Sequence, residues 1–190
     1  MERNEHHCIY SIGHGSRPIE EFISILKKNC ITYLIDVRSR PFSRFHPQYN
    51  RDTLTALLQN ENIKYVFMGD TLGGRPEDRD CYDNDSRVDY IKVREKAYFK
   101  QGIARLETAY KKRLNVACMC SELSACDCHR SKLIGETLKN NNISLIHIEK
   151  NGELITQDNI INKILLKKNN FDLFDNTDDL INKSVKSYRK

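Results

Sequence analysis

Cys128-His129-Arg130 sets a thiol, an imidazole and a guanidinium on three consecutive residues, and shortly before it Cys120-Ser121-Glu122 adds a second thiol and a carboxylate. If Cys128 opens a helix, free N–H groups and the helix dipole favour a thiolate or a bound anion there, with Arg130 and His129 as partners for a phosphate. Glu122, once desolvated, is suited to activating water or attacking as a nucleophile. Asp36 ends an apolar run, so its carboxylate emerges from a buried strand and needs a cationic or hydrogen-bonding partner, with Arg38 and Arg40 nearest. His14 lies between Gly13 and Gly15, where the backbone can approach a ligand while the imidazole exchanges protons near neutral pH. The candidate catalytic groups are therefore Asp36, Glu122, His14 and Cys128.

Arg38, Arg40, Arg44 and Arg51 are interleaved with Phe42, Phe45, His46 and Tyr49, a pattern able to grip phosphates and stack on bases. Gly73-Gly74-Arg75 offers close backbone approach beside another guanidinium. The formal charge of +5 leans the same way, toward an anionic ligand, a nucleotide or nucleic acid. Seven cysteines in a chain without a secretory signal favour free thiols, metal ligands or catalytic thiols over a disulfide framework. Cys118, Cys120, Cys126 and Cys128 form C-x-C-x5-C-x-C, which invites a metal site with His129 as an alternative ligand, but this is not a usual zinc spacing, so no metal is assigned and a cofactor is left unspecified.

The elements that must position these groups alternate. Short apolar runs at Cys8–Ile12, Thr32–Val37, Lys64–Met68, Leu114–Cys120 and Ile143–Ile148 read as strands, the second nearly continuous in apolar character as in a parallel sheet buried on both faces. Helical periodicity appears at Ile19 to Leu26, Leu54 to Leu58, Val88 to Lys112, Leu133 to Leu138 and Ile160 to Leu165. Such an order predicts a Rossmann-like three-layer α/β fold with a mainly parallel sheet of about five strands. Ligands then gather beyond the carboxyl ends of the strands, where the candidate residues fall. A single domain is expected over 1–168, followed by a loose C-terminal tail over 169–190. Pro76 to Arg87, polar and rich in Asp, reads as a surface loop or lid. No apolar run approaches the ~20 residues of a membrane span, so no membrane contact and a cytoplasmic location are expected.

Ser11-Ile12-Gly13-His14, Leu34-Ile35-Asp36-Val37-Arg38, Pro41-Phe42-Ser43-Arg44, Leu72-Gly73-Gly74, Cys120-Ser121-Glu122 and Cys128-His129-Arg130 together resemble the domain of unknown function 488 family, from about Ile9 to Ile148. The resemblance implies a compact α/β domain with a polar site built from these motifs, and no settled activity. It also implies that Cys118 and Cys126 are additions to the family pattern.

The leading expectation is an enzyme directed at a nucleotide or nucleic acid, a hydrolase or glycosylase that cleaves an N-glycosidic bond or acts on a phosphate-bearing substrate. Asp36 and Glu122 would divide the acid and base or nucleophile roles, with Arg38, Arg40, Arg44, Gly73, Gly74, Arg75, His129 and Arg130 binding the anion. The alternatives are a non-catalytic nucleic-acid-binding module and a thiol or metal site at Cys120 and Cys128.

Overall fold

The computed structural model describes residues 7–166 and 176–185, which form a six-stranded sheet between two layers of helices. The five expected strands all form: β1 (Ile9–Gly13), β2 (Tyr33–Asp36), β3 (Lys64–Phe67), β4 (Val116–Cys120) and β5 (Leu145–Ile148). They pair in parallel in the order β3-β2-β4-β1-β5. A sixth strand, β6 (Leu154–Thr156), adds antiparallel to the β5 edge; three residues are too short a run to show strand alternation in sequence.

Alternation along each strand sorts the core into two layers. Ile12, Leu34, Ala117 and Met119 point to one face, where Phe22 and Leu26 of α1 (Ile19–Lys28) and Leu54 and Leu58 of α2 (Arg51–Asn60) cover them. Ile9, Ile35, Val116 and Cys118 point to the other. There they meet α3 (Gly69–Leu72), α4 (Tyr90–Glu95), α5 (Ala97–Lys111) and α6 (Glu136–Asn140) through Leu72, Val93, Phe99, Ile103 and Leu138. Each such side chain, fully buried, contributes roughly 1.5–3 kcal/mol of transfer free energy. α7 (Gln157–Leu166) and α8 (Thr177–Lys183) share a satellite cluster of Ile155, Ile160, Ile164 and Ile181. No helix among the described residues is long and apolar enough to cross a membrane.

Two expectations are corrected, and a third, the surface loop, is sharpened. The helical stretch from Val88 to Lys112 breaks in two at Lys96, which is extended (φ −72, ψ 138) and pairs through its ammonium with Asp78 at 2.5 Å. The loop from Pro76 to Arg87 is pinned by that contact, by buried Cys81 and by a Tyr82–Val88 bridge. Residues 176–185 of the tail fold back as α8: Leu180, Ile181 and Val185 are buried, and the Lys132 ammonium donates to the Ser184 carbonyl at 2.9 Å. Residues 169–175 and 186–190 of the expected tail lie outside the described residues.

Candidate functional site

The carboxyl ends of β1, β2 and β4 come side by side in the centre of the sheet, in the order β2-β4-β1. Because successive side chains alternate between faces, they build two polar clusters there, one on each side of the sheet.

On the α1/α2 side, Asp36 is fully buried and held by Arg38, whose Nε and Nη2 donate to its two oxygens at 2.9 and 2.6 Å. The Arg38 backbone N–H adds 3.0 Å and the Tyr65 hydroxyl 2.6 Å, so the carboxylate's acceptor sites are engaged. The same Nη2 reaches the Tyr49 carbonyl at 2.7 Å, while Nη1 donates to His14 Nε2 at 3.3 Å. His14 Nδ1 must carry its proton, since it faces the Gly15 carbonyl at 2.9 Å, and the ring stacks on Tyr49 at 4.1 Å. Burial is the main reason His14 is pushed down to about 4; its bond to Gly15 opposes this and the Arg38 charge adds to it. His14 is thus neutral at pH 7.

On the α5/α6 side, β4 ends in Cys120, and the chain turns through Ala125–Asp127 to an extended Cys128. The expected helix start is instead a π-helical turn, Arg130–Gly135, running into α6. Such turns are uncommon and recur at functional sites. Its first side chain points back into the fold: Arg130 is 1% exposed and donates to Cys128 Sγ at 3.2 Å, Ser11 Oγ at 3.2 Å and the Glu122 carbonyl at 2.7 Å. The side-chain group that Arg130 Nε faces, in the place a bound anion was expected to take, is therefore the Cys128 sulfur.

From Arg130 a directed chain of hydrogen bonds runs across β1 and β5 on this same face of the sheet. Ser11 Oγ and His147 Nδ1 are 2.6 Å apart, and His147 Nε2 is 2.6 Å from Gln157 Oε1. Gln157 Nε2 donates to the Ser131 carbonyl at 3.0 Å and to Glu136 at 2.7 Å. An amide oxygen only accepts, so His147 carries its proton on Nε2 and takes the Ser11 hydroxyl proton on Nδ1. Burial depresses His147 to about 4, against its bond to Gln157. Ser11, His147 and Gln157 were not among the expected site residues. The one sequence signal for Ser11 and His147 is a polar residue inside an apolar strand run; Gln157, at the start of α7, carries none.

His129 completes the cluster. Its Nε2 donates to the Val37 carbonyl at 3.1 Å, which turns Nδ1 toward Cys120 and Cys128, each sulfur at 3.7 Å. Burial opposes charge on Cys128, but the Cys120 thiol, the Arg130 guanidinium and His129 outweigh it and hold Cys128 well below an ordinary thiol. Cys120 is pushed well up by that pairing and by burial, and burial alone pushes Cys118 up to about 12. Gly74 lies against the imidazole, since a Cβ there would fall 2.7 Å from His129 Cγ. Gly13 is crossed by the chain after β4: its Cβ would meet the Glu122 carbonyl at 2.0 Å.

Of the expected site residues, His14, Asp36, Arg38, Cys128, His129, Arg130, Gly73 and Gly74 come together as buried walls of this sheet edge. Arg40, Arg44 and Arg75 are exposed around it. The two carboxylates are not alike: Asp36 is locked in the interior, whereas Glu122 is exposed and enters the network through its backbone carbonyl. The exposed loop after β2 carries Phe42 and Phe45 at 69% and 89% exposure, and its His46 ring lies 6.4 Å from His14.

A family model described as domain of unknown function DUF488 matches residues 18–137, more than half of the chain. No curated protein and no solved structure matches it.

Proposed function

Because the chain belongs to the DUF488 family, whose description assigns no activity, we propose its function from the site alone: a cytoplasmic enzyme that turns over a nucleotide or nucleic acid at the edge of the sheet. The observation that carries this reading is one of adjacency. Two aromatic rings left open to solvent, together with exposed Arg40 and Arg44, stand on the loop after β2, whose His46 ring lies 6.4 Å from His14, and the Val37 carbonyl at the root of that loop is held by His129 of the shielded cluster around Cys128. Exposed rings among arginines suit stacking on bases and pairing with phosphates. The shielded cluster suits chemistry, because charges that develop there are not screened by water.

In this reading Arg40, Arg44 and Arg75 hold the phosphate-bearing part of the substrate and the Phe42 and Phe45 rings hold its bases. Asp36 is a positioning residue: four donors occupy it, and it fixes Arg38, which in turn keeps His14 in its neutral tautomer. Glu122, exposed at the rim, is the carboxylate with access to substrate, and hydrolysis of a phosphate-bearing or N-glycosidic bond is the reaction class.

Single-stranded DNA and RNA oligonucleotides and a panel of nucleotides, incubated with the full chain and resolved by chromatography, test this. Salt-sensitive binding and a product from at least one substrate are expected. Arg40→Ala with Arg44→Ala should raise KM with kcat held, and Glu122→Gln should lower turnover in a folded protein. Salt-sensitive binding with no product leaves the non-catalytic binding module instead, and neither binding nor product overturns both.

A further inference from the structure

We propose that Cys120, Cys128 and His129 form a binding site for one zinc-class divalent cation. Their donor atoms all lie within 4.8 Å of one another, and among the described residues they are the one such group of histidine, cysteine and carboxylate side chains. Each sulfur is 3.7 Å from His129 Nδ1. A tetrahedral zinc with metal–sulfur and metal–nitrogen bonds of about 2.3 and 2.0 Å separates such donors by about 3.5 Å. Both sulfur–nitrogen pairs thus stand almost at ligating distance, and the two sulfurs, within 4.8 Å of each other, need to draw in by no more than about 1 Å.

The imidazole is prepared for the same task. Its far nitrogen is spent on the Val37 carbonyl at 3.1 Å, which leaves Nδ1 facing both sulfurs as the nitrogen that would ligate. A backbone carbonyl behind a ligating histidine is the usual outer support of such a centre. Cys128 Sγ is oriented by two donors, Arg130 Nε at 3.2 Å and the Arg130 backbone N–H at 3.5 Å. The turn that carries it is held by the Ser131 hydroxyl donating to the Ala125 carbonyl at 2.6 Å, and Cys120 stands on the end of a central strand. Thiolate and imidazole donors select a soft or borderline ion such as zinc over magnesium or calcium.

Charge decides what the cation would hold next. Two thiolates and a divalent cation sum to zero, and Arg38 is balanced by Asp36. Arg130 adds a positive charge beside the sulfurs, answered from further off by the Glu149 carboxylate, and this local charge favours an anionic fourth ligand such as hydroxide or a phosphate oxygen. Three protein ligands with one position left over is the arrangement of catalytic zinc, which lowers the pKa of a bound water. The site stands on its geometry alone; its part in turnover rests on the function proposed above. Neither Cys118 nor Cys126 belongs to the group: Cys118 shares the face of Cys120 one step down β4, and Cys126 packs against the α7 cluster. The C-x-C-x5-C-x-C pattern thus contributes two ligands, and the adjacent histidine contributes the third.

Full-length protein purified under reducing conditions should retain about one zinc per chain by elemental analysis after dialysis. Cobalt(II) added to metal-free protein should give thiolate-to-cobalt charge transfer and the intense visible bands of a tetrahedral ion. Cys128→Ala and His129→Gln should each weaken cobalt binding about tenfold or more, while Cys118→Ala and Cys126→Ala keep it. Folded wild-type chain, verified by circular dichroism, that retains no zinc and develops no cobalt bands overturns the proposal. A folded Cys118→Ala variant that loses the metal as fully as Cys128→Ala overturns the ligand assignment. Metal bound as expected without turnover of any nucleotide overturns the proposed function and leaves the metal site standing.

Discussion

Arg38 and Arg130 are two guanidiniums shut away from water at the same edge of one sheet, 4% and 1% exposed, and they differ in what answers their charge. Arg38 faces a carboxylate, Asp36, through paired hydrogen bonds. Arg130 has no carboxylate within hydrogen-bond reach among the described residues; its neighbours are a cysteine sulfur, a serine hydroxyl and a carbonyl. A carboxylate stays charged at neutral pH, so the first pair is a fixed brace. A thiol can take up or give away a proton, so the second arginine tunes a reactive group. The α1/α2 face of the edge is therefore braced by a fixed ion pair, and the α5/α6 face carries the groups to which the proposed function assigns chemistry.

That contrast predicts the largest effect. Arg38→Met strands a buried carboxylate and should cost about 3–5 kcal/mol, with much of it recovered when Asp36→Asn removes the charge as well. Arg130→Met in metal-free protein should cost less, about 1–3 kcal/mol for the unpaired Ser11 and Glu122 acceptors, because Cys128 can neutralise itself by protonation. Urea unfolding of the variants at pH 7 measures both. A larger loss for Arg130→Met than for Arg38→Met would remove the distinction between brace and tuner.

Acid probes the hydrogen-bond chain beside Arg130. His147 sits at about 4 in the folded protein against 6.5 in its ordinary state, so between those values the unfolded chain binds more protons than the native one. Its contribution is complete above pH 6.5 and fades as the pH falls toward 4, reaching about 3 kcal/mol in all. His14 adds a loss of the same sign. Imidazole nitrogen NMR should find His147 neutral, with Nε2 protonated, down to pH 5. An ordinary titration near pH 6.5 would mean that the chain from Ser11 to Gln157 does not persist in solution.

How far these features were legible in sequence depends on the distance over which each was made. The strands are local apolar runs and were readable, and Asp36 and Arg38, two residues apart, announced their own pairing. The break at Lys96 was not readable, because an ion pair with Asp78 accompanies it rather than a proline or glycine. Arg130 and Ser11 are 119 residues apart and Ser11 and His147 136, joined only when β1 and β5 pair in register. Glu122 shows a different limit: its position was identified and its carboxylate singled out, yet its carbonyl is what Arg130 uses. Residue type carries no information about a backbone atom.

The smallest effect on stability belongs to the loop outside both clusters. Phe42 and Phe45, at 69% and 89% exposure, bury little on folding, so Phe42→Ser and Phe45→Ser should change the unfolding free energy by less than about 0.5 kcal/mol. Stacking on a base is worth about 1–3 kcal/mol per ring, so the same substitutions should weaken binding of a single-stranded oligonucleotide roughly tenfold each. Fluorescence anisotropy at fixed salt, beside urea unfolding of the same samples, separates the two quantities. Unchanged stability with weakened binding assigns the rings to a ligand. Unchanged affinity would take base stacking away from this loop and leave its arginines as the only contact to an anionic partner, and a loss of stability would make the rings part of the α1/α2 brace.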